Sequence, residues 1–270
     1  MTAHAFPRRT AAAGFTLVEL LIAMTIGLLL TAVIAQVFLG SRKTYATTDD
    51  VARMQENMRY VHDALSRNLR MAGYMSTPAT FPISTPPYQG VFSAPNPLAL
   101  TGAEGGTATA SDSITVSFQG DIDSTTADCL GRRVLPGVMA TSTFSIGADP
   151  DRPGNIPSLL CASSLGGAAA ETRALVNDVE NMQILYGEDT NGDLVNADRY
   201  VSASEVTNMD AVVSVRIALL FRTANIAVRS SADPTQYQLH AVKLPAFSGT
   251  DATRIRRTMS FTVALRNREP

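Results

Sequence analysis

The sequence is constrained most by an uncharged apolar stretch close to its N-terminus. Leu20–Gly40 is 21 residues long and contains no Asp, Glu, Lys or Arg. As an α-helix it would be about 31 Å long, which matches the hydrocarbon core of one bilayer. Basic residues flank it on both sides, at Arg8 and Arg9 and at Arg42 and Lys43, so charge counting orients it poorly.

Two cleavable targeting signals compete with a retained membrane helix. A secretory signal peptide, or a twin-arginine signal suggested by Arg8 and Arg9, would be cleaved after the apolar stretch. Here the small residues that such a cleavage site needs, Ala11 to Gly14, come before the stretch. Both signals are therefore disfavoured, and the apolar stretch is expected to remain on the mature protein.

A single carboxylate lies at the mouth of the apolar stretch. Glu19 is flanked by apolar residues in the segment GFTLVELL (14–21), and a carboxylate in lipid costs a few kcal/mol, so it requires a reason. With its short basic leader, this segment resembles the class III signal of type IV pilins and type II secretion pseudopilins. The competing interpretation is a plain single-pass anchor with an incidental Glu.

The resemblance implies a specific processing and assembly chemistry. In that family a membrane peptidase cuts after the glycine, here between Gly14 and Phe15, and methylates the new amine of Phe15. The carboxylate corresponding to Glu19 pairs with the N-terminal amine of a neighbouring subunit in the filament. A positive amine next to lipid is tolerable only with a partner, so the two charges select each other in register.

The helix is predicted to continue well beyond the apolar stretch, over 15–75. Apolar residues recur in steps of three and four from Val51 to Ala72, which places them on one helical face. No Pro occurs between Phe15 and Tyr74, and Gly73 is a plausible stop. The first part, 15–40, is apolar all round, whereas the second part has one apolar stripe that must pack on something.

The remainder of the chain changes character twice. The stretch 76–170 holds 10 of the 14 Pro residues and is interpreted as loops around short strands, one of them at Asp112–Phe118. Period-two alternation predicts half-buried antiparallel strands around Val213–Phe221 and Met259–Leu265. Met182–Gly187 is predicted as a buried strand and Tyr237–Leu244 as a further strand.

A striped helix followed by such strands predicts an α+β fold in which the helix packs on an antiparallel sheet. This agrees with the pilin fold that the N-terminus implies. Several C-terminal segments resemble PilW-type minor pilins in their order: LVNDVENMQILYGEDTNGD (175–193), VSVRIAL (213–219) and VALRN (263–267). The expected organisation is a leader at 1–14, a helix at 15–75 with 15–40 in the membrane or filament core, and a β-rich head at 76–270.

Cys129 and Cys161 are the only two cysteines. A helix inserted with its amine inside the cell puts the head in an oxidising compartment, which favours a disulfide between them. In the chain-entropy model, closing this loop stabilises the fold by roughly 3–4 kcal/mol. Free thiols and an intermolecular bridge are the alternatives, and no nearby His completes a metal site.

The segment DTNGD (189–193) places three oxygen side chains at alternate positions, Asp189, Asn191 and Asp193, as calcium loops do. The EF-hand pattern fails further on, at Leu194 and Tyr200. A polar turn after a strand is the competing interpretation. No cofactor is therefore expected unless this loop binds calcium.

Charge is segregated late in the chain. Residues 171–210 carry nine acidic and two basic side chains, whereas 211–270 carry nine basic and three acidic ones. A docking surface between head domains and a solvated sheet face are both compatible with this pattern. A net charge of −2 disfavours nucleic acid as a partner. Motifs of hydrolases, metalloproteases and nucleotide-binding proteins are missing from the sequence, so an enzyme is not expected.

The resemblance implies a minor pilin that takes part in type IV pilus assembly and priming, at or near the tip. A minor pseudopilin of a type II secretion system is the alternative, and a membrane-tethered periplasmic enzyme a third. The implied partners are the prepilin peptidase, other minor pilins, the major pilin and the inner membrane, with a tip adhesin as a further candidate. The protein would span the inner membrane once with a periplasmic head, and would lie in the pilus after assembly.

Overall fold

The computed structural model describes residues 14–76, 98–106, 109–193, 196–226 and 228–268. Most of the predicted leader, 1–13, and the Pro-rich stretch 77–97 lie outside these residues. The chain forms two compact units, divided between Thr48 and Asp49. The N-terminal unit contains the first part of a long helix, and the C-terminal unit, Asp49–Pro270, contains the second part and all the strands.

The long helix α1 is continuous over Leu17–Met71. Within the C-terminal unit, the predicted apolar stripe is buried at Met54, Val61, Leu65 and Leu69, which pack into one core with residues of the sheets. The helix ends where Gly73 adopts a φ of +76°, a conformation that glycine reaches without strain. The predicted helix, its stripe and its stop are therefore confirmed.

Eleven strands are present in the described residues, and all their pairings are antiparallel. Five of them form one sheet in the order β1-β2-β3-β4-β5, and four form a second sheet in the order β11-β8-β6-β7. The strands of the first sheet are β1 Leu100–Ala103, β2 Ser113–Gln119, β3 Met139–Ala148, β4 Pro157–Leu165 and β5 Glu171–Asn177. Those of the second are β6 Val179–Glu188, β7 Arg199–Val201, β8 Val212–Arg222 and β11 Arg256–Ala264, and a small hairpin pairs β9 Gln238–Leu239 with β10 Val242–Lys243.

The predicted α+β architecture, a long N-terminal helix packed on antiparallel sheet, is confirmed. The chain passes from the first sheet to the second at Asp178, whose φ is +63°. Its carbonyl accepts a hydrogen bond from the Arg222 N–H at 3.0 Å, so the switch point is fixed to strand β8. One apolar core contains residues of α1 and of both sheets.

Three predictions about strands were wrong in detail. The stretch 76–170 contains two long strands, β3 with 10 residues and β4 with 9, rather than short strands among loops. Strand β8 is buried on both faces, not one, because Ala218 and Leu220 pack under Leu239 and Leu244. The segment Tyr237–Leu244 is not one strand but a tight hairpin, which turns at His240 with a φ of +52°.

Candidate functional site

The start of α1 is capped by its own side chains. The backbone N–H and the hydroxyl of Thr16 both donate to Glu19 Oε2, each at 3.0 Å, and the Glu19 N–H donates back to Thr16 Oγ1 at 3.3 Å. This reciprocal arrangement is a capping box. Thr16 was not among the predicted site residues, although the spacing Thr-x-x-Glu before an apolar run is a recognisable signal for it.

Glu19 keeps one carboxylate oxygen available. Both donors of Thr16 bind Oε2, and no hydrogen bond from a described residue reaches Oε1. Phe15, the residue after the predicted cleavage point, is 89% exposed. The first turn therefore presents a carboxylate oxygen and an aromatic side chain at the point where the apolar helix begins.

The N-terminal part of α1 is long and apolar enough to cross a membrane, and none of its most apolar stretch is buried within the structure. The two threonines within this stretch bind the backbone of the same helix. Thr25 Oγ1 donates to the Ile22 carbonyl at 2.9 Å, and Thr31 Oγ1 donates to the Leu28 carbonyl at 2.9 Å. A helix in lipid must satisfy its polar groups internally, so this surface is suited to hydrocarbon.

Cys129 and Cys161 form the predicted disulfide. It ties the loop after β2 to the buried position of Cys161 on β4. Asp128, beside it, reinforces the connection because its carboxylate accepts from the Arg132 Nε and from the Ser163 hydroxyl, each at 2.7 Å. The loop is thus held to the sheet by a covalent bond and by a buried carboxylate.

The three residues of the calcium interpretation lie together in the turn after β6. Asp189 Oδ1 accepts the backbone N–H groups of Asn191, at 3.0 Å, and Gly192, at 2.8 Å. Asn191 Oδ1 accepts the N–H of Asp193 at 2.8 Å. These oxygens organise a polar turn, and calcium binding stays a prediction. Among the described residues, no group of three or more His, Cys, Asp or Glu side chains is arranged to hold a metal ion.

Part of the late charge segregation is neutralised inside the protein. Arg256, whose side chain is 0% exposed, binds Glu180 through Nε at 2.6 Å and also pairs with Asp251. Arg222 reaches Asp178 at 3.1 Å and Glu180 at 3.5 Å. These acidic and basic residues pair within the chain, so part of the segregated charge is compensated internally, and a docking surface between head domains stays a prediction.

A polar groove of about 650 Å³ separates α1 from the disulfide loop and β5. Its walls include Tyr60 and Arg67 from the helix and Arg132 and Glu171 from the opposite side, and the last two are ion-paired at 3.1 Å. The sulfur of Cys129, which lines it, is already in the disulfide. Ion pairs and the disulfide connect the side chains that line this groove, and neither kind of contact supplies a nucleophile.

Comparison with protein-family models gives two matches. Residues 9–35 match the prokaryotic N-terminal methylation motif, and residues 143–267 match the Type IV Pilus-assembly protein W model. A search of curated protein sequences finds no match. Among solved structures, a type IV-like pilin from Thermus thermophilus is similar with 15% identity and a TM-score of 0.46, over 80% of this chain and 99% of that one.

The methylation motif covers the capped start of α1 and most of its apolar stretch, so this part of the chain is similar to prepilin-type N-termini. The second match covers the strands from β4 to β11. The match over 143–267 agrees with the resemblance to PilW-type proteins noted in the sequence. The two matches support a role in pilus assembly, and the methylation motif supports attachment to the membrane through α1.

Proposed function

We propose that this protein is a minor pilin that takes part in priming and assembly of a type IV pilus, at or near its tip. Its mechanism is structural. The apolar part of α1 enters the filament core, and the C-terminal unit is displayed outside. The observation that carries the proposal is the geometry of Glu19, a carboxylate with one available oxygen at the start of a fully exposed apolar helix.

Processing would create the partner that this carboxylate needs. Cleavage between Gly14 and Phe15 by the prepilin peptidase leaves a positive amine on Phe15, which the same enzyme methylates. An amine and a carboxylate in an apolar environment stabilise each other far more than either is stabilised alone. Oε1 of Glu19 would accept the amine of a neighbouring subunit, while Thr16 holds Oε2 and fixes the orientation of the carboxylate.

The protein is proposed to occupy two locations, one before and one after assembly. Before assembly, the protein spans the inner membrane once, with the C-terminal unit in the periplasm, where the disulfide between Cys129 and Cys161 forms. After assembly it lies in the pilus with other minor pilins and the major pilin, and a tip adhesin is a further partner. The proposal includes a calcium ion that binds Asp189, Asn191 and Asp193 and supports the turn after β6.

The test compares four variants of the full chain in piliated cells. Glu19→Ala removes both the cap and the proposed partner of the amine, whereas Thr16→Ala weakens the cap and keeps the carboxylate. Glu19→Gln keeps the shape of the side chain without its charge. Glu56→Gln is the matched control, because Glu56 is an exposed carboxylate on the same helix, and no described residue forms an ion pair with it.

Three measurements are made on each variant: membrane fractionation, the mass of the N-terminal peptide, and the amount of protein in sheared pili. We expect all variants to insert and to begin with methylated Phe15. Both Glu19 variants should be largely missing from pili, and Thr16→Ala and Glu56→Gln should be present. Normal incorporation of Glu19→Ala would refute the pairing. Co-purification with secretion components instead of pilins would favour a pseudopilin.

A further inference from the structure

The two main sheets have four edges, and three of them are protected against pairing with another chain. Strand β7 has only three residues and β1 only four. Beyond β1, the edge of β2 is covered by Gly73 and Tyr74, which bond to Ser117 and Gln119 at 2.9 and 2.8 Å. Short and covered edges of this kind are how proteins avoid unwanted strand addition.

The edge at β5 is protected by charge and irregularity. Arg173 and Glu171 project from this strand and form an ion pair at 3.0 Å. Its pairing with β4 is interrupted by a register shift between Leu159 and Leu160. Charged side chains and bulges both disfavour an added strand.

The fourth edge, at β11, has none of these protections from Thr258 onwards. It is nine residues long, it pairs with β8 in continuous register, and between Arg257 and its end at Ala264 it carries no charge and no Pro. An edge of this length presents a row of unpaired backbone groups, which is a template for another strand.

The hydrogen bonds at the two ends of β11 show which backbone groups point outwards. The Thr223 N–H donates to the Ile255 carbonyl at 2.9 Å, and the Leu265 N–H donates to the Val213 carbonyl at 2.9 Å. Antiparallel pairs alternate, so every odd-numbered residue between these ends bonds to β8. The N–H and carbonyl groups of the even-numbered residues, which include Thr258, Ser260 and Thr262, therefore face away from the sheet.

These outward groups are accessible. The side chains of Thr258, Ser260 and Thr262 are exposed, and no backbone hydrogen bond from another described segment reaches these three residues. The nearest cover is Tyr237, whose hydroxyl lies 3.5 Å from the carbonyl of Arg256 at the beginning of the strand. The open part of the edge thus begins at Thr258.

A basic residue lies at each end of this edge. Arg257 lies at the start of β11 and Arg266 lies two residues past its end, and both are exposed. Neither forms an ion pair with a described residue. A complementary chain would carry acidic residues at its ends and none in its middle.

We propose that β11 is a docking site for an extended segment of a partner protein, which adds as a fifth strand to the β11-β8-β6-β7 sheet. The segment is about nine residues long, uncharged and Pro-free in its middle, with an acidic residue at each end. Its backbone bonds to Thr258, Ser260 and Thr262, and its acidic ends lie beside Arg257 and Arg266. Main-chain bonds supply affinity in this mode of recognition, and the flanking charges supply specificity.

The probe is a synthetic nine-residue peptide of alternating Thr and Val with Asp at both ends. Its matched controls carry Lys at both ends, or Pro at the centre. Binding to the full-length protein in detergent micelles is followed by fluorescence anisotropy at low salt. We expect the Asp-ended peptide to bind at least tenfold more tightly than either control, and its binding to weaken as salt is raised.

Two sets of variants locate the site. Ser260→Pro removes an outward N–H without removing a bond to β8, and Ser260→Ala is its control because it keeps the N–H. We expect Ser260→Pro to weaken binding about tenfold, corresponding to about one hydrogen bond, and Ser260→Ala to leave it unchanged. If Ser260→Pro does not fold, Thr258→Lys with Thr262→Lys places guarding charges on the same edge.

Charge reversal is the second arm. Arg257→Glu with Arg266→Glu should reverse the preference, so that the Lys-ended peptide becomes the tighter ligand. Amide exchange should slow at Thr258, Ser260 and Thr262 when the peptide is bound. The proposal is wrong if the Asp-ended peptide shows no binding at about 1 mM, if the Pro-containing peptide binds equally well, or if protection appears away from β11.

Discussion

Substitution of Arg256, whose guanidinium is buried, is the strongest single test of which contacts stabilise the C-terminal unit. The guanidinium binds Glu180 twice, through Nε at 2.6 Å and Nη2 at 2.9 Å, and its Nη1 donates to the Asp251 carbonyl at 2.9 Å. Its planar group lies 3.4 Å from the centre of the Phe247 ring. Arg256→Met keeps the length of the aliphatic stem and removes all these contacts at once.

The magnitude follows from what the substitution leaves behind. Removing one partner of a buried ion pair costs about 3–5 kcal/mol, because the other charge stays buried without compensation. Here Arg222 still approaches Glu180 at 3.5 Å and Asp251 at 3.4 Å, so we expect a loss near the lower end, about 3 kcal/mol. For a folded unit of this size, each kcal/mol corresponds to about 2–4 °C, giving a fall in Tm of about 6–12 °C.

The assay is thermal unfolding of the full chain in micelles, followed by the β-sheet signal in circular dichroism. The matched control is Arg257→Met, one residue away and exposed, for which we expect less than about 0.5 kcal/mol. A double variant, Arg256→Met with Glu180→Met, removes the stranded charge and should recover part of the loss. Equal Tm values for Arg256→Met and Arg257→Met would refute the reasoning.

Three further predictions concern other contacts of the C-terminal unit. Replacing Cys129 and Cys161 by Ser should lower the free energy of unfolding by roughly 3–4 kcal/mol, with the same loss when the wild type is measured in reductant. The pKa of Glu188 is lowered from 4.5 to about 2, chiefly by the hydrogen bond from the Thr207 hydroxyl and also by Arg199, whereas burial of the carboxylate acts in the opposite direction. A pKa that is lower in the folded state stabilises the fold above the unfolded-state pKa, so this contribution should disappear as the pH falls from about 4.5 to about 2. Glu188→Gln should lose that part of the pH dependence of stability. Acid titrations followed by fluorescence or circular dichroism measure it. Asn225→Ala should destabilise by about 1–3 kcal/mol in urea unfolding, because it removes the amide that donates to both oxygens of the buried Asp50 at 2.8 and 2.9 Å. Asn57→Ala, at a half-buried position on the same helix as Asp50, should cost less.

The parts of the fold that the sequence predicted well are those with strong periodic patterns. The stripe of α1 and the alternation of β2 each bury several large apolar side chains, and such patterns can be recognised without knowledge of their partners. The disulfide was predictable because only two cysteines occur and because the expected location outside the cytoplasm would be oxidising.

Strands β3 and β4 escaped the sequence analysis for a physical reason. Their inward positions include Ala140, Ser142 and Ser163, which are small or polar yet fully or almost fully buried. A pattern search looks for large apolar residues and finds few there. Sheet neighbours supply the burial instead, and Ser163 is accommodated by donating to Asp128 at 2.7 Å.

The charged residues were harder to interpret than the apolar ones. Sequence gives the sign and order of Glu180, Arg222 and Arg256 but not which of them meet, because their pairing depends on the register of β6, β8 and β11. The same holds at the start of α1. Glu19 was recognised from its position, whereas the role of Thr16 in holding one of its oxygens required the geometry.

The full exposure of the apolar part of α1 has a consequence for the energetics of subunit transfer. A helix that leaves a bilayer for a bundle of similar helices exchanges one hydrocarbon environment for another, so burial of apolar area contributes little to the direction of that step. Close packing and the few polar groups must then decide it. In the proposed assembly, lipid would satisfy the exposed apolar side chains from Leu20 to Leu39, and Glu19 would be the group that gains most from leaving it.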